Sequence, residues 1–217
     1  FSTPTGSQGI QDLLNLDVKF LKNGSDFIQN LPFIKQMAES GLPSILSTGM
    51  ASLAEIDEAV RTFENAGGKD LTLLHCVSQY PAPMGDVHLR KITSLKHAFD
   101  YPVGFSDHTI GVEASIGAVT LGASFIEKHF TLSHDLPGPD HHFSSTPDEF
   151  SLLVESIRSI ELALGNSKLT TTSKEKLNAE NYQLSCVAKK NLTKGSVIEI
   201  NDISFSRPGN GIPPKLV

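Results

Sequence analysis

Two triplets stand out for chemistry in the stretch Pro102–His142: Ser106-Asp107-His108 and Glu127-Lys128-His129. Each closes a short apolar segment, and each ends in an imidazole. Side chains alternate between the faces of a strand. Ser106 and His108 therefore share one face, and Glu127 and His129 share one face. If the strands over 103–106 and 124–130 are parallel neighbours, joined by a right-handed crossover through a helix over 112–121, the imidazoles converge. Two convergent imidazoles beside carboxylates are metal-binding chemistry. The same alternation turns Lys128 away from His129, as a structural partner rather than a Schiff-base amine. It places Glu127 to orient a ligand.

The elements that must position these residues follow a strand–helix rhythm. Strand segments are expected at 1–4, 18–21, 43–47, 71–77, 103–106 and 124–130. Helices are expected at 7–16, 31–40, 52–66, 89–99, 112–121 and 147–164. Ser52 with Glu55, and Thr146 with Glu149, are capping boxes. Leu53, Ile56, Val60 and Phe63 keep helical spacing. Alternating strands and helices imply a parallel sheet, and polar residues gather after the strands. That asymmetry predicts a (β/α)8 barrel of the triosephosphate isomerase type rather than a doubly wound sheet, for which no glycine-rich dinucleotide fingerprint is present. Six strand segments leave two of the eight to lie ahead of Phe1. The expectation is a partial barrel over 1–165, a polar linker over 166–182 and a partial, small β-rich module over 183–217. Both chain ends read as cut, so a fragment is expected, inactive by itself.

The bulk figures bound the function. The chain has 217 residues, a net charge of −6 and 39% apolar residues. That is enough for a sizeable core, and scattered Lys and Arg under a mildly acidic balance argue against nucleic acid as a partner. No apolar run approaches the roughly 20 residues that span a bilayer. Two cysteines, Cys76 and Cys186, make no disulfide framework. Cys76 reads as inert core, and a cytoplasmic setting is expected.

Taken together, FSTP at 1–4, LKNGS at 21–25, ILSTGM at 45–50, HCVSQYPAP at 75–83, GFSDHT at 104–109, EKHFT at 127–131 and LPGPDH at 136–141 resemble the sialic acid synthase family. The terminal module, with RPGNGI at 207–212, resembles that family's antifreeze-like domain. The resemblance implies a barrel followed by the antifreeze-like domain, in a homodimer where that domain caps the partner's barrel. It implies condensation of phosphoenolpyruvate with an open-chain N-acetylhexosamine, N-acetylmannosamine-like, to a nine-carbon 2-keto sugar acid with release of phosphate. A divalent ion, Mn or Mg, is implied on His108 and His129, with a carboxylate from a strand ahead of Phe1. Thr3, Lys22, Ser25, Ser47, Ser78 and Ser106 match phosphoenolpyruvate contacts. A phosphate with a carboxylate wants a cation and several hydroxyl or backbone donors. Asp140, Tyr80 and Arg207 match sugar contacts, Arg207 acting on the partner subunit's sugar.

Two positions depart from the family pattern. Ser78 stands where Asn is common, and Phe27 stands where an acid is usual, with Asp26 just before it. A one-residue slip would restore the carboxylate. Two other readings compete with the synthase. One is a Schiff-base aldolase using Lys22 or Lys128. The other is a non-catalytic chain that binds only sugar or a partner.

Overall fold

A computed structural model describes residues 1–217, which divide into two compact units, Phe1–Gly165 and Asn166–Val217. The first unit is built on five parallel strands: β1 (Leu21–Asn23), β2 (Ser44–Ser47), β3 (Leu71–Cys76), β4 (Val103–Asp107) and β5 (Ile126–Lys128). Their order in the sheet is their order in the chain, β1-β2-β3-β4-β5. A doubly wound sheet reverses direction at a switch point, and this one does not. Single parallel bridges flank it, Ser2 to Leu21 beside β1 and Phe130 to Ser145 beyond β5. The sixth expected strand, at Phe1–Pro4, is thus reduced to one bridge. The segment expected over 18–21 pairs three residues later, as β1, and the one over 124–130 is ordered as β5 only at its centre.

The sheet is strongly curled. Lys22 lies on β1 and Glu127 on β5, four inter-strand gaps apart. In a flat sheet those gaps would sum to about 19 Å. Yet Lys22 Nζ and Glu127 Oε1 are 3.2 Å apart. The curvature is that of a barrel segment, concave on the side of Lys22 and Glu127.

Helices α1 (Ser7–Asn15), α2 (Leu31–Glu39), α3 (Leu53–Asn65), α4 (Arg90–Ala98), α5 (Glu113–Thr120) and α6 (Pro147–Leu164) alternate with and follow the strands. The α3 box forms as the sequence predicts, with Glu55 accepting from the Ser52 N–H and Ser52 Oγ from the Glu55 N–H. Asn30 caps α2 through the Phe33 N–H. Burying apolar faces such as Phe33, Ile34 and Met37 of α2 and Ile56, Val60 and Phe63 of α3 stabilises by roughly 1.5–3 kcal/mol per large side chain. They pack on Leu21, Leu46, Leu73, Val103 and Phe105, which face the helices. The residues between them, Lys22, Ser47, Ser106 and Glu127, are left on the concave face.

The second unit is small. The polar stretch 166–182, expected as a linker, contains helix α7 (Ser173–Tyr182). Its start is a third capping box, Thr172 with Glu175, which satisfies N–H groups the helix cannot. Beyond it, β6 (Ser185–Ala188) and β7 (Ile203–Ser206) form an antiparallel pair. No helix in either unit is long and apolar enough to cross a membrane.

Candidate active site

The C-terminal ends of the five strands open on one cleft of about 450 Å³, lined by Lys22, Ser25, Asp26, Ser47, Cys76, Ser78, Tyr80, Ser106, His108, Glu127 and His129, with Gly24 and Met50. Hollows of about 460 and 370 Å³ lie at the opposite sheet end, beside Lys69 and Asp70, and against α3 and α4. Neither gathers convergent polar groups of this kind.

One end of the cleft is made for an anion. Lys22 is 8% exposed. Its ammonium donates to the Asn23 carbonyl at 3.1 Å and lies beside Glu127. The hydroxyls of Ser47 and Ser78 are buried with no hydrogen-bond partner in the protein. Buried polar groups are nearly always paired, so two orphan hydroxyls lining the same cleft as a cation are donors awaiting acceptors. The Gly49 N–H donates to Ser25 Oγ at 3.1 Å. A Cβ at 49 would stand 2.4 Å from Ser78 Oγ and 2.7 Å from Ser25 Oγ. Only glycine lets the backbone approach so closely. Ser106 Oγ donates to Glu127 Oε1 at 2.7 Å. Glu127 therefore serves Lys22 and Ser106, and does not orient His129 as expected.

The other end holds the imidazoles. β4 and β5 are parallel register partners, and the rings of His108 and His129 meet with centroids 5.2 Å apart at 77°. The convergence predicted from alternation is present. His108 Nδ1 lies 2.7 Å from the Val77 carbonyl. Donating that N–H fixes the tautomer and leaves the Nε2 lone pair free, as a metal-ligating histidine requires. Burial lowers the His108 basicity, but bonds to Cys76 and Val77 and the charges of Cys76 and Glu127 leave it raised. His129 is lowered, by burial first and then by the His108 charge. No group of three or more His, Cys, Asp or Glu side chains is arranged to hold a metal ion. By themselves the two imidazoles offer a cation only two nitrogen donors.

The remaining expected residues divide. Tyr80 lies tilted against His108, with ring centroids 4.3 Å apart, and also faces His129 and Phe143. Asp140 Oδ2 is 3.7 Å from His129 Nδ1, on an exposed loop. Thr3 is exposed and does not line the cleft. Arg207 lies in the second unit, donating to the Tyr182 carbonyl with its guanidinium over the Tyr182 ring. Of the two residues at the displaced acid, Asp26 lines the cleft, while Phe27 turns to Phe33 at 5.0 Å.

Two residues were misjudged by sequence reasoning. Cys76 is buried, but it is not inert core. It lines the cleft with Sγ 3.9 Å from His108 Nδ1. Burial raises its thiol, and bonds from His108, Ser25 and Ser106 outweigh that and lower it. Strand alternation gave the signal, since Cys76 shares a face with Leu74 rather than His75. Asn23 was overlooked. It is fully buried, its Oδ1 accepts the Ser47 N–H at 2.7 Å, and its Nδ2 has no partner. It fixes the β2 end that carries the orphan hydroxyl.

The chain is similar to known proteins along nearly all of its length. An N,N'-diacetyllegionaminic acid synthase of Campylobacter jejuni is 43% identical over 97% of the chain and 64% of its own length. The human N-acetylneuraminate-9-phosphate synthase is 32% identical over 99% of the chain and 61% of its own length. The chain thus spans less than two thirds of the length of these relatives. The solved structure of an N-acetylneuraminic acid synthetase from Leptospira borgpetersenii, in complex with citrate, superposes with a TM-score of 0.78 at 38% identity, covering 82% of the chain and 62% of that protein. The NeuB family profile matches residues 1–169. Five consecutive parallel strands, a cleft at their C-terminal ends and that match over most of the sequence give one conclusion: the chain belongs to the NeuB family.

Proposed function

We propose that this cleft serves the condensation of phosphoenolpyruvate with an N-acetylhexosamine of the N-acetylmannosamine type, forming a nine-carbon sialic-type 2-keto sugar acid and releasing phosphate. The observation that carries the reading is the pair of unpartnered buried hydroxyls, Ser47 and Ser78, in the cleft that also holds Lys22 and the two imidazoles. Such donors suit a phosphate with a neighbouring carboxylate.

In this reading Lys22 and the hydroxyls of Ser25, Ser47, Ser78 and Ser106 bind phosphoenolpyruvate, while Thr3, outside the cleft, is not among them. Glu127 keeps Lys22 oriented until the phosphate arrives and then holds the Ser106 hydroxyl. Tyr80 and Asp140 position the sugar, and Asp140 steadies His129. Arg207 is assigned to the sugar bound by a second copy of the chain in a homodimer. His108 and His129 would hold a divalent cation, Mn or Mg, which when bound supplies polarisation of the sugar's aldehyde oxygen. The polar terminal module over 183–217 is assigned as the antifreeze-like domain.

A Schiff-base aldolase is disfavoured at Lys128, whose ammonium is buried on the helix side of the sheet. Lys22 alone could form the imine. Two measurements on the chain decide. Calorimetric titration with phosphoenolpyruvate is expected to show saturable binding. Borohydride treatment in the presence of pyruvate is expected to leave no covalent adduct. An adduct at Lys22 would overturn the synthase reading in favour of the aldolase. Absence of phosphoenolpyruvate binding would also overturn it, leaving a chain that binds only sugar or a partner.

A further inference from the structure

Behind the two histidines, on the helix-facing side of the sheet, lies an ionic cluster that the cleft does not use. Asp107 and Lys128 are register partners across β4 and β5, and each immediately precedes one of the imidazoles. Their side chains are 0% and 2% exposed. Lys128 Nζ donates to Asp107 Oδ2 at 3.0 Å and to the Thr109 carbonyl at 2.7 Å. Asp107 Oδ1 accepts the Thr109 N–H at 2.8 Å and Thr109 Oγ1 at 2.7 Å. Asp107 Oδ2 also accepts Ser115 Oγ, from α5, at 2.6 Å. The carboxylate is saturated by four donors from three places.

Desolvation cancels most of the Coulomb gain of so deep a pair, so it contributes little to stability over an apolar replacement. Its effect is geometric. The two bonds to Thr109 fold the chain back directly after His108. Lys128 grips the same turn by its carbonyl, and Ser115 fastens it to α5. The turn that carries His108 is thereby fixed to the strand that carries His129. We propose that Asp107 and Lys128 are positioning residues that set the separation and orientation of His108 and His129 from the opposite face of the sheet. The proposal rests on reading the imidazole pair as cation-binding and adds what holds that pair in place.

The test compares the full chain with Lys128→Met and with the charge-free double variant Asp107→Asn/Lys128→Met, which leaves no buried unpaired charge. Thermal melts report folding. NMR of labelled histidine rings reports the mutual placement of the imidazoles, and Co2+ titration followed by visible absorption reports binding of the metal alone. Both variants are expected to fold, to show displaced His108 and His129 ring signals, and to bind Co2+ at least about tenfold more weakly, since losing the groups that orient ligating histidines typically costs about 10- to 100-fold in metal affinity. Folded variants with unshifted ring signals and unchanged Co2+ affinity would overturn the proposal. So would unfolding of both variants, because the pair would then hold the fold rather than the rings. If the unaltered chain takes up no Co2+, the cation reading fails by itself. The ring signals then decide the positioning role alone.

Discussion

Replacing Lys22 by Met separates the cation from everything else the cleft offers. The substitution keeps the stem that packs below the ammonium and removes the charge. The Lys22 ammonium has two partners, the Asn23 carbonyl at 3.1 Å and Glu127 at 3.2 Å. A bound phosphate would take over part of that bonding. A hydrogen bond to a charged group contributes about 1.5–3 kcal/mol, and each 1.4 kcal/mol is about tenfold in affinity. Because the ammonium leaves an existing partner, the low end applies, and phosphoenolpyruvate affinity should fall about 10- to 30-fold. Breaking a fully buried ion pair costs about 3–5 kcal/mol in stability. The Glu127 side chain is 27% exposed, so water reaches the abandoned carboxylate and the fold loses much less. The assay is calorimetric titration of phosphoenolpyruvate against both chains, with a thermal melt as control. A folded Lys22→Met chain with affinity within threefold of the original would refute the placement of the phosphate at Lys22.

Two further outcomes follow from the same geometry. Gly49→Ala puts a methyl group against Ser25 and Ser78; displacing one or two neutral hydroxyl bonds should weaken phosphoenolpyruvate binding about 3- to 10-fold, and an unchanged dissociation constant would contradict the close approach. His75 is held below its ordinary value chiefly by burial, against which the bond from Nε2 to the Val87 carbonyl works. The unfolded chain then binds more protons than the folded one, so stability is full above about pH 6.5 and is lost as pH falls through the folded value. Urea melts of His75→Gln should show a shallower acid slope over that window, and an identical slope would place the acid sensitivity elsewhere.

The cleft was legible because it obeys the period of two. Ser106, His108, Glu127 and His129 could be put on one face from spacing alone, and the structure finds them there. Strand order was legible from the strand–helix rhythm. Cys76 was lost because a small apolar run, LTLLHC, reads as core on both faces, and only the curl of the sheet makes one face a cleft floor. Helix α7 was missed because its stretch has too few apolar residues to show a helical stripe. Its capping box lay in plain view, and a box specifies a start without any buried face. Glu127 was placed on the correct face but with the wrong partner. Which of several polar neighbours a carboxylate chooses depends on curvature, which brings β1 to β5 and has no sequence period.

The contact between Lys22 and Glu127 also sets terms for whatever enters. With one cation answered by one carboxylate, the charges of Lys22 and Glu127 largely offset each other at that point. An anion that takes Lys22 loosens this contact, and Glu127 keeps the Ser106 hydroxyl as its donor. One carboxylate is exchanged for another anion at Lys22 without leaving Glu127 unpaired. A tie that spans a curled sheet thus holds the cation in readiness and gives way to an arriving anion.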